Sequence, residues 1–205
     1  MKTCFVFIEI YCFRSKFTYI NIGSKGKNND SYIFERSSLK NCHETDKLFV
    51  ESSLLISNVN VPVLLIGDSA FRLCQYMMKP YPFKVNQPPN EKKFNYHLSK
   101  CRRVIENAFG QLKARFRKIG KGLEVAPRNC NVIIKACCLL HNFLKDEQDD
   151  VVYSWLEEAE ALSRRIQPSS TTTTGNNNVD GKTIRDAIAA SFRKCHKIHV
   201  SLFCF

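Results

Sequence analysis

The stretch "VPVLLIGDSAF", Val61 to Phe71, decides the fold class. Val63 to Ile66 is an unbroken apolar run of strand length, the pattern of a strand buried on both faces. It stops at Gly67-Asp68. Open α/β sheets place their ligand sites at the carboxyl ends of such strands. Asp68 is therefore a candidate site residue. Its plainer reading is structural: with Ser69 it could cap a helix starting near Phe71.

Toward the C-terminus, "KPYPFKVNQPPNEKKF" (Lys79 to Phe94) has four prolines and reads as an irregular loop. A helix follows. Its apolar positions are Leu98, Cys101, Ile105, Ala108, Leu112, Phe116 and Ile119, in steps of three and four, so one face packs on a core. Arg102, Glu106 and Lys113 fall off that stripe. Glu106 is the only acid between Lys92 and Leu123. Read alone, it is an ion-pair partner for Arg102 or Arg103, one helical turn earlier. A second helix, about Asn131 to Lys145, is apolar nearly all round and is expected to be buried.

Toward the N-terminus, "FTYINI" (Phe17 to Ile22) reads as a strand. The glycine-bearing turn "IGSKGKNND" leads to Asp30, which by itself is an ordinary turn residue. The polar stretch through "NCHETDKLFVESS" reads as loop with short helix. "MKTCFVFIEIYCF" resembles a signal peptide at a glance. However, Glu9 breaks its apolar core and no small-residue cleavage site follows, so a strand is expected. No apolar run is long enough to span a bilayer, and a soluble intracellular protein is expected.

Charge divides the chain unevenly. From Arg72 to Lys121 there are 13 Lys+Arg against 2 Asp+Glu, a local net of +11, whereas Lys145 to Ala161 holds seven acids and one Lys. A basic block of this density suits a polyanion, most often nucleic acid, with a solvated basic face as the plain alternative. The ten cysteines include no C-x-x-C pair. They read as small buried hydrophobes in a reducing compartment rather than a zinc or disulfide framework. Cys138 with His141, and Cys195 with His199, have metal-like local spacing but no second ligand pair. The "PSSTTTTGNNN" tract reads as a disordered linker, and "GKTIRDAIAASFRKC" as a final short helix.

Taken together, the acids make a sharper reading than any gives singly. Carboxylates converging from a strand end, a helix and a post-turn position can hold Mg²⁺ or Mn²⁺. Such ions activate a water or a 3′-hydroxyl at a phosphodiester. Asp68, Glu106 and Asp30 are the candidates, and the bases around Glu106 would bind the phosphate backbone.

At these residues the chain resembles the nuclease domain of the PIF/Harbinger transposases and their domesticated derivatives. The matching stretches are "NIGSKGKNNDSYIFERSSL", "LLIGDSAFRL", "MKPYP", "KKFNYHLSKCRRVIENAFGQLKARFRKI", "KACCLLHNFL" and "TIRDAIAASF", in the family's order. The Phe94 to Phe116 block is the most specific. The resemblance implies an α/β, RNase H-like core, a mixed sheet flanked by helices, incomplete at the N-terminus. It implies catalytic Asp68 and Glu106, with Asp30, Asp68 and Glu106 holding a divalent cation, Mg²⁺ or Mn²⁺. DNA-binding residues would be Lys92, Lys93, Lys100, Arg102, Arg103, Lys113, Arg115, Arg117 and Lys118. A Myb-like DNA-binding partner and a nuclear location are implied, with the cytoplasm as the alternative compartment.

One departure bears on activity. The family's I-D-G-T-H-like motif, which carries its first catalytic Asp, is absent from this chain. Glu9, within "FVFIEI", is the only acid in its place. The chain thus reads as an N-terminally truncated copy, with an atypical segment 1–16 and a nuclease-like domain 17–146. A tail 147–205 follows, containing the linker 167–180. The expected function is a metal-dependent DNA nuclease with weak or absent cleavage. The alternative is a non-catalytic DNA- or protein-binding nuclear protein.

Overall fold

A computed structural model describes residues 8–12, 15–23, 28–45, 53–149, 151, 154–158, 179–192 and 202–204. Of the expected linker 167–180, residues 167–178 lie outside these residues, whereas Val179 and Asp180 are helical; the Cys195–His199 spacing also lies outside. The chain divides into two units, Met1–Asn28 with Arg103–Ser170 and Asn29–Arg102 with Thr171–Phe205. The class is α/β. Among the described residues, the strands lie in three small sheets.

The first unit starts with an antiparallel hairpin, β1 (Ile8–Cys12) and β2 (Lys16–Asn21), with a bulge between Ile10 and Tyr11. Glu9 stands opposite Ile20 in that ladder. Three of the unit's helices are α4 (Arg117–Lys121), α5 (Pro127–Asp146) and α6 (154–158). A further helical segment of this unit is 103–115 of α3 (Pro89–Arg115). Pro127 opens α5 at a position where a missing N–H costs nothing.

Strand β2 is fastened to α5 by two adjacent side chains. The Asn142 amide acts as a surrogate strand: its Oδ1 accepts from Phe17 N and its Nδ2 donates to Phe17 O, both at 2.8 Å. His141, 1% exposed, donates from Nε2 to Ser15 O at 2.8 Å. The Phe17 ring is buried against Phe109 (5.7 Å) and His141 (4.9 Å). The "LLHNF" stretch therefore fastens β2 to α5 in this unit. The His141–Cys138 spacing follows from one helix turn on the face toward β2.

Burial lowers the His141 pKa, and Lys145 and Arg115 act in the same direction, outweighing the bond to Ser15. A depressed folded-state pKa gives stability that is complete above the unfolded value of 6.5 and is lost as pH falls below it. His141→Gln should therefore flatten the loss of melting temperature between pH 7.5 and 5.5. Identical slopes for wild type and variant would contradict this.

Helix α5 differs from expectation. Val132, Leu139, Leu140 and Phe143 are 68, 66, 50 and 58% exposed. A helix apolar nearly all round was expected to be buried on every side, yet only the face toward β2 carries Cys130, Ile134, Cys138 and His141 into the interior. Composition shows how much apolar surface a helix has and leaves open whether each face finds a neighbour.

The second unit is built on β5 (Leu64–Ile66), with all three residues at 0% exposure. It pairs in parallel with β6 (Met77–Met78) on one side and β7 (Leu202–Cys204) on the other. Preceding it, β3 (Ser53–Ile56) and β4 (Val59–Pro62) form a hairpin. Ser57 and Asn58 both take positive φ (49° and 64°), the backbone of a two-residue turn whose twist suits paired strands. Around this lie α1 (Asp30–Glu35), α2 (Ser38–Glu44), residues 89–102 of α3 and α7 (Val179–Ser191). Helix α3 starts at Pro89, earlier than expected, because proline is tolerated in a first turn. Helix α7 packs on β3, β4 and β6. Gly181 makes this possible, since a Cβ there would come within 2.8 Å of the Cys74 backbone. Among the described residues, no helix is long and apolar enough to cross a membrane.

Candidate functional site

Asp68 stands two residues past the end of the buried strand β5, where the sequence pattern put it. It closes a turn rather than capping a helix: its Oδ1 accepts from Ala70 N at 2.8 Å, and its carbonyl accepts from Phe71 N at 3.3 Å. This turn needs Gly67. A Cβ at Gly67 would meet Phe71 Cγ at 2.6 Å and Phe71 Cβ at 2.9 Å, because the Phe71 ring folds back over the strand end. Phe71 is buried and packs edge-on against Phe34 of α1 (6.0 Å).

That contact anchors the helix that carries Asp30. Asn29 caps α1, its Oδ1 accepting from Tyr32 N at 2.8 Å, so Asp30 is the first helical residue. Asp30 is exposed as a residue, yet its carboxyl lies against enough protein to raise its pKa. Burial is the larger cause and the negative charge of Asp68 the second. Two acids 38 positions apart in sequence thus feel each other in the fold.

The sign of this coupling can be tested. A carboxyl with a raised folded-state pKa favours the fold only below the unfolded value of 3.8, and that contribution is lost as pH rises through the folded value. Asp30→Asn should therefore raise the melting temperature of the metal-free protein at pH 7.5 but not at pH 3. An unchanged or lower melting temperature at pH 7.5 would contradict the coupling.

The chemistry of the pair suits a hard divalent cation. Mg²⁺ takes oxygen ligands and is commonly held by one or two carboxylates, with water and substrate phosphate completing its shell. Two carboxylates that repel each other are relieved by a cation between them. Among the described residues, no group of three His, Cys, Asp or Glu side chains could hold a metal. Glu106 lies in the other unit, on the exposed side of α3, opposite the buried Ile105, Ala108 and Leu112.

The basic candidates separate by environment. Lys92, Lys93, Lys100, Arg103 and Lys118 are exposed, and Arg102 and Lys113 are half-buried. Two meet acids of the tail. Arg115 donates to Asp149 Oδ2 and to Asp149 O, each at 2.7 Å. Arg117 pairs with Glu158 at 3.2 Å and covers the Trp155 ring at 5.7 Å. The acidic segment after α5 therefore occupies part of the basic surface, through exposed pairs worth about 0–1 kcal/mol each.

Sequence reasoning missed two cations in the second unit. Lys79 follows β6 and is buried; its Nζ donates to Ser69 O at 3.4 Å, and the Asp68 charge acts on it. Arg185 of α7 is likewise buried. The available signal was an Arg on the same helix face as Gly181, Ile184 and Ile188.

The model of the DDE superfamily endonucleases matches residues 3–142. The chain belongs to this family. "Protein ALP1-like" of Arabidopsis thaliana is 29% identical over 139 residues, 67% of this chain and 34% of that protein. Mouse "Putative nuclease HARBI1" is 33% identical over 129 residues, 62% of this chain and 33% of that one. Its human counterpart is 38% identical over 90 residues, 42% and 25% of the two chains. These relatives put the DDE endonuclease chain with the Harbinger transposase-derived nucleases. It spans about a third of the length of the first two. No solved structure matches it.

Proposed function

We propose that this chain is a Harbinger-derived DNA nuclease domain with an RNase H-like core, in which Asp30 and Asp68 hold a divalent cation. The observation that supports the reading is the place of Asp68 at the carboxyl end of a buried parallel strand, where its charge helps to raise the pKa of Asp30 on α1. Mg²⁺ or Mn²⁺ bound there would supply an activated water or 3′-hydroxyl and neutralise charge at the phosphodiester. The Ala70 N–H holds the Asp68 carboxyl in its turn, and the Asn29 cap fixes the start of the helix that carries Asp30. Glu106 enters as the third acid on its motif alone. Lys92, Lys93, Lys100, Arg103 and Lys118 are exposed and free to meet phosphates along DNA. In this reading 17–146 is the nuclease-like segment and 147–205 the tail. From the family come a nuclear location and a Myb-like partner.

Turnover should be weak or absent, because the chain lacks the I-D-G-T-H-like motif. Plasmid nicking by the full chain in Mn²⁺ tests the reading. Slow nicking that disappears in Asp68→Asn supports it, and nicking that persists in Asp68→Asn overturns it. The missing motif also favours a second reading, a non-catalytic protein that binds DNA or another protein. That reading predicts DNA binding without nicking, unaffected by Asp68→Asn.

A further inference from the structure

Lys79 and Arg185 are buried in the second unit at 8 and 7% exposure. Lys79 is contributed by the loop after β6, and Arg185 by α7, 106 positions later. The guanidinium carbon of Arg185 lies 3.9 Å from the Tyr81 ring centroid, so the ring covers one of its faces. The Tyr81 hydroxyl donates to Asp186, which engages the acid nearest in sequence. Arg185 Nε and Nη1 make no hydrogen bond. Lys79 has one long bond, to Ser69 O at 3.4 Å. Among the described residues, no carboxylate is within ion-pair distance of either cation.

This arrangement is unfavourable without a ligand. A buried charge lacking a partner is costly, and an unsatisfied buried N–H adds to the cost. The two cations also repel: the Lys79 pKa is lowered first by burial and then by Arg185, while Asp68 draws it back up. An anion removes all three penalties together. The planar guanidinium fork matches the spacing of phosphate oxygens, and an ammonium adds a point charge. The bond from Lys79 to Ser69 O sets its ammonium beside the residue after Asp68, and Arg185 lies over the ring of Tyr81, two residues on from Lys79.

We propose that Lys79 and Arg185 form a binding site for a phosphate oxyanion next to Asp68. The phosphate is either a backbone phosphate of DNA or a free phosphate. Only its source in DNA rests on the nuclease reading. In a nuclease the site would fix the register of one phosphodiester relative to the carboxylates, making Lys79 and Arg185 positioning residues.

Thermal unfolding of the full chain tests this, in phosphate-free buffer at pH 7.5 and constant ionic strength. Inorganic phosphate, pyrophosphate and a short DNA oligonucleotide are titrated separately against chloride. A saturable rise of several degrees with phosphate or pyrophosphate is expected, as for any ligand that binds only the folded state. Arg185→Gln and Lys79→Met should each weaken it at least tenfold. Lys79→Met should also raise the melting temperature in ligand-free buffer, which removal of a merely structural lysine would not do. It keeps the test open if Arg185→Gln fails to fold. No saturable rise over chloride, or a rise that survives both substitutions, overturns the proposal. An oligonucleotide shift lost in Lys79→Met assigns the site to DNA. A free-phosphate shift lost in Lys79→Met, with the oligonucleotide shift kept, assigns it to free phosphate. A Lys79-dependent phosphate shift without Mn²⁺ binding leaves the anion site standing and removes the nuclease reading.

Discussion

Gly67→Ala is expected to damage the fold and the acidic site together. The new methyl group would overlap the root of the Phe71 side chain, at 2.6 to 2.9 Å, so Phe71 itself must move. Phe71 is 4% exposed and has little room. Overpacking of this kind costs about 1–3 kcal/mol. The displacement would pass from Phe71 to Phe34 and so to α1, which carries Asp30, while Asp68 is the residue next to the substitution. Both carboxyls should shift, and Mn²⁺ affinity should fall roughly tenfold, the loss typical when the groups that orient a ligand are disturbed. Urea unfolding and metal titration of one preparation measure both effects. A variant with wild-type stability and wild-type affinity would contradict the role given to Gly67.

Phe17→Ala should have the largest effect on stability. Phe17 is 4% exposed and its ring fills the space between Phe109 and His141. Truncating a buried Phe typically costs about 3–5 kcal/mol, from lost burial and from the cavity left behind. For a chain of this size that corresponds to a melting temperature lower by roughly 6–20 °C. The backbone bonds between Phe17 and Asn142 should also loosen, seen as faster amide exchange along β2. A fall of less than about 2 °C would mean that the ring is not the anchor of this unit.

These effects also show what the sequence could reveal. The apolar run before Gly67-Asp68 identified a strand buried on both faces, because burial on both sides leaves no polar alternation to misread. Asp68 stood out by position and Asp30 only in company with the other acids, but the effect of one charge on the other depends on how Phe34 of α1 meets Phe71, a contact that leaves no periodic trace. Lys79 and Arg185 were hidden for a similar reason, since the contact between α7 and β6 joins distant parts of the chain. Helix α5 shows the opposite failure. Its apolar content was plain, but which face meets β2 depended on Asn142 and His141, two polar residues that hydrophobic patterning discards. The tail acids were legible as a charge run, whereas their pairing with Arg115 and Arg117 was not.

Calorimetric titration of Mn²⁺ into the metal-free full chain at pH 7.5 tests the central claim, that Asp30 and Asp68 together hold a divalent cation. The wild type should bind saturably. Asp30→Asn and Asp68→Asn should each weaken binding at least tenfold, since each removes one of two oxygen donors. Absence of binding by the wild type, or equal affinity in the wild type and both variants, would contradict it.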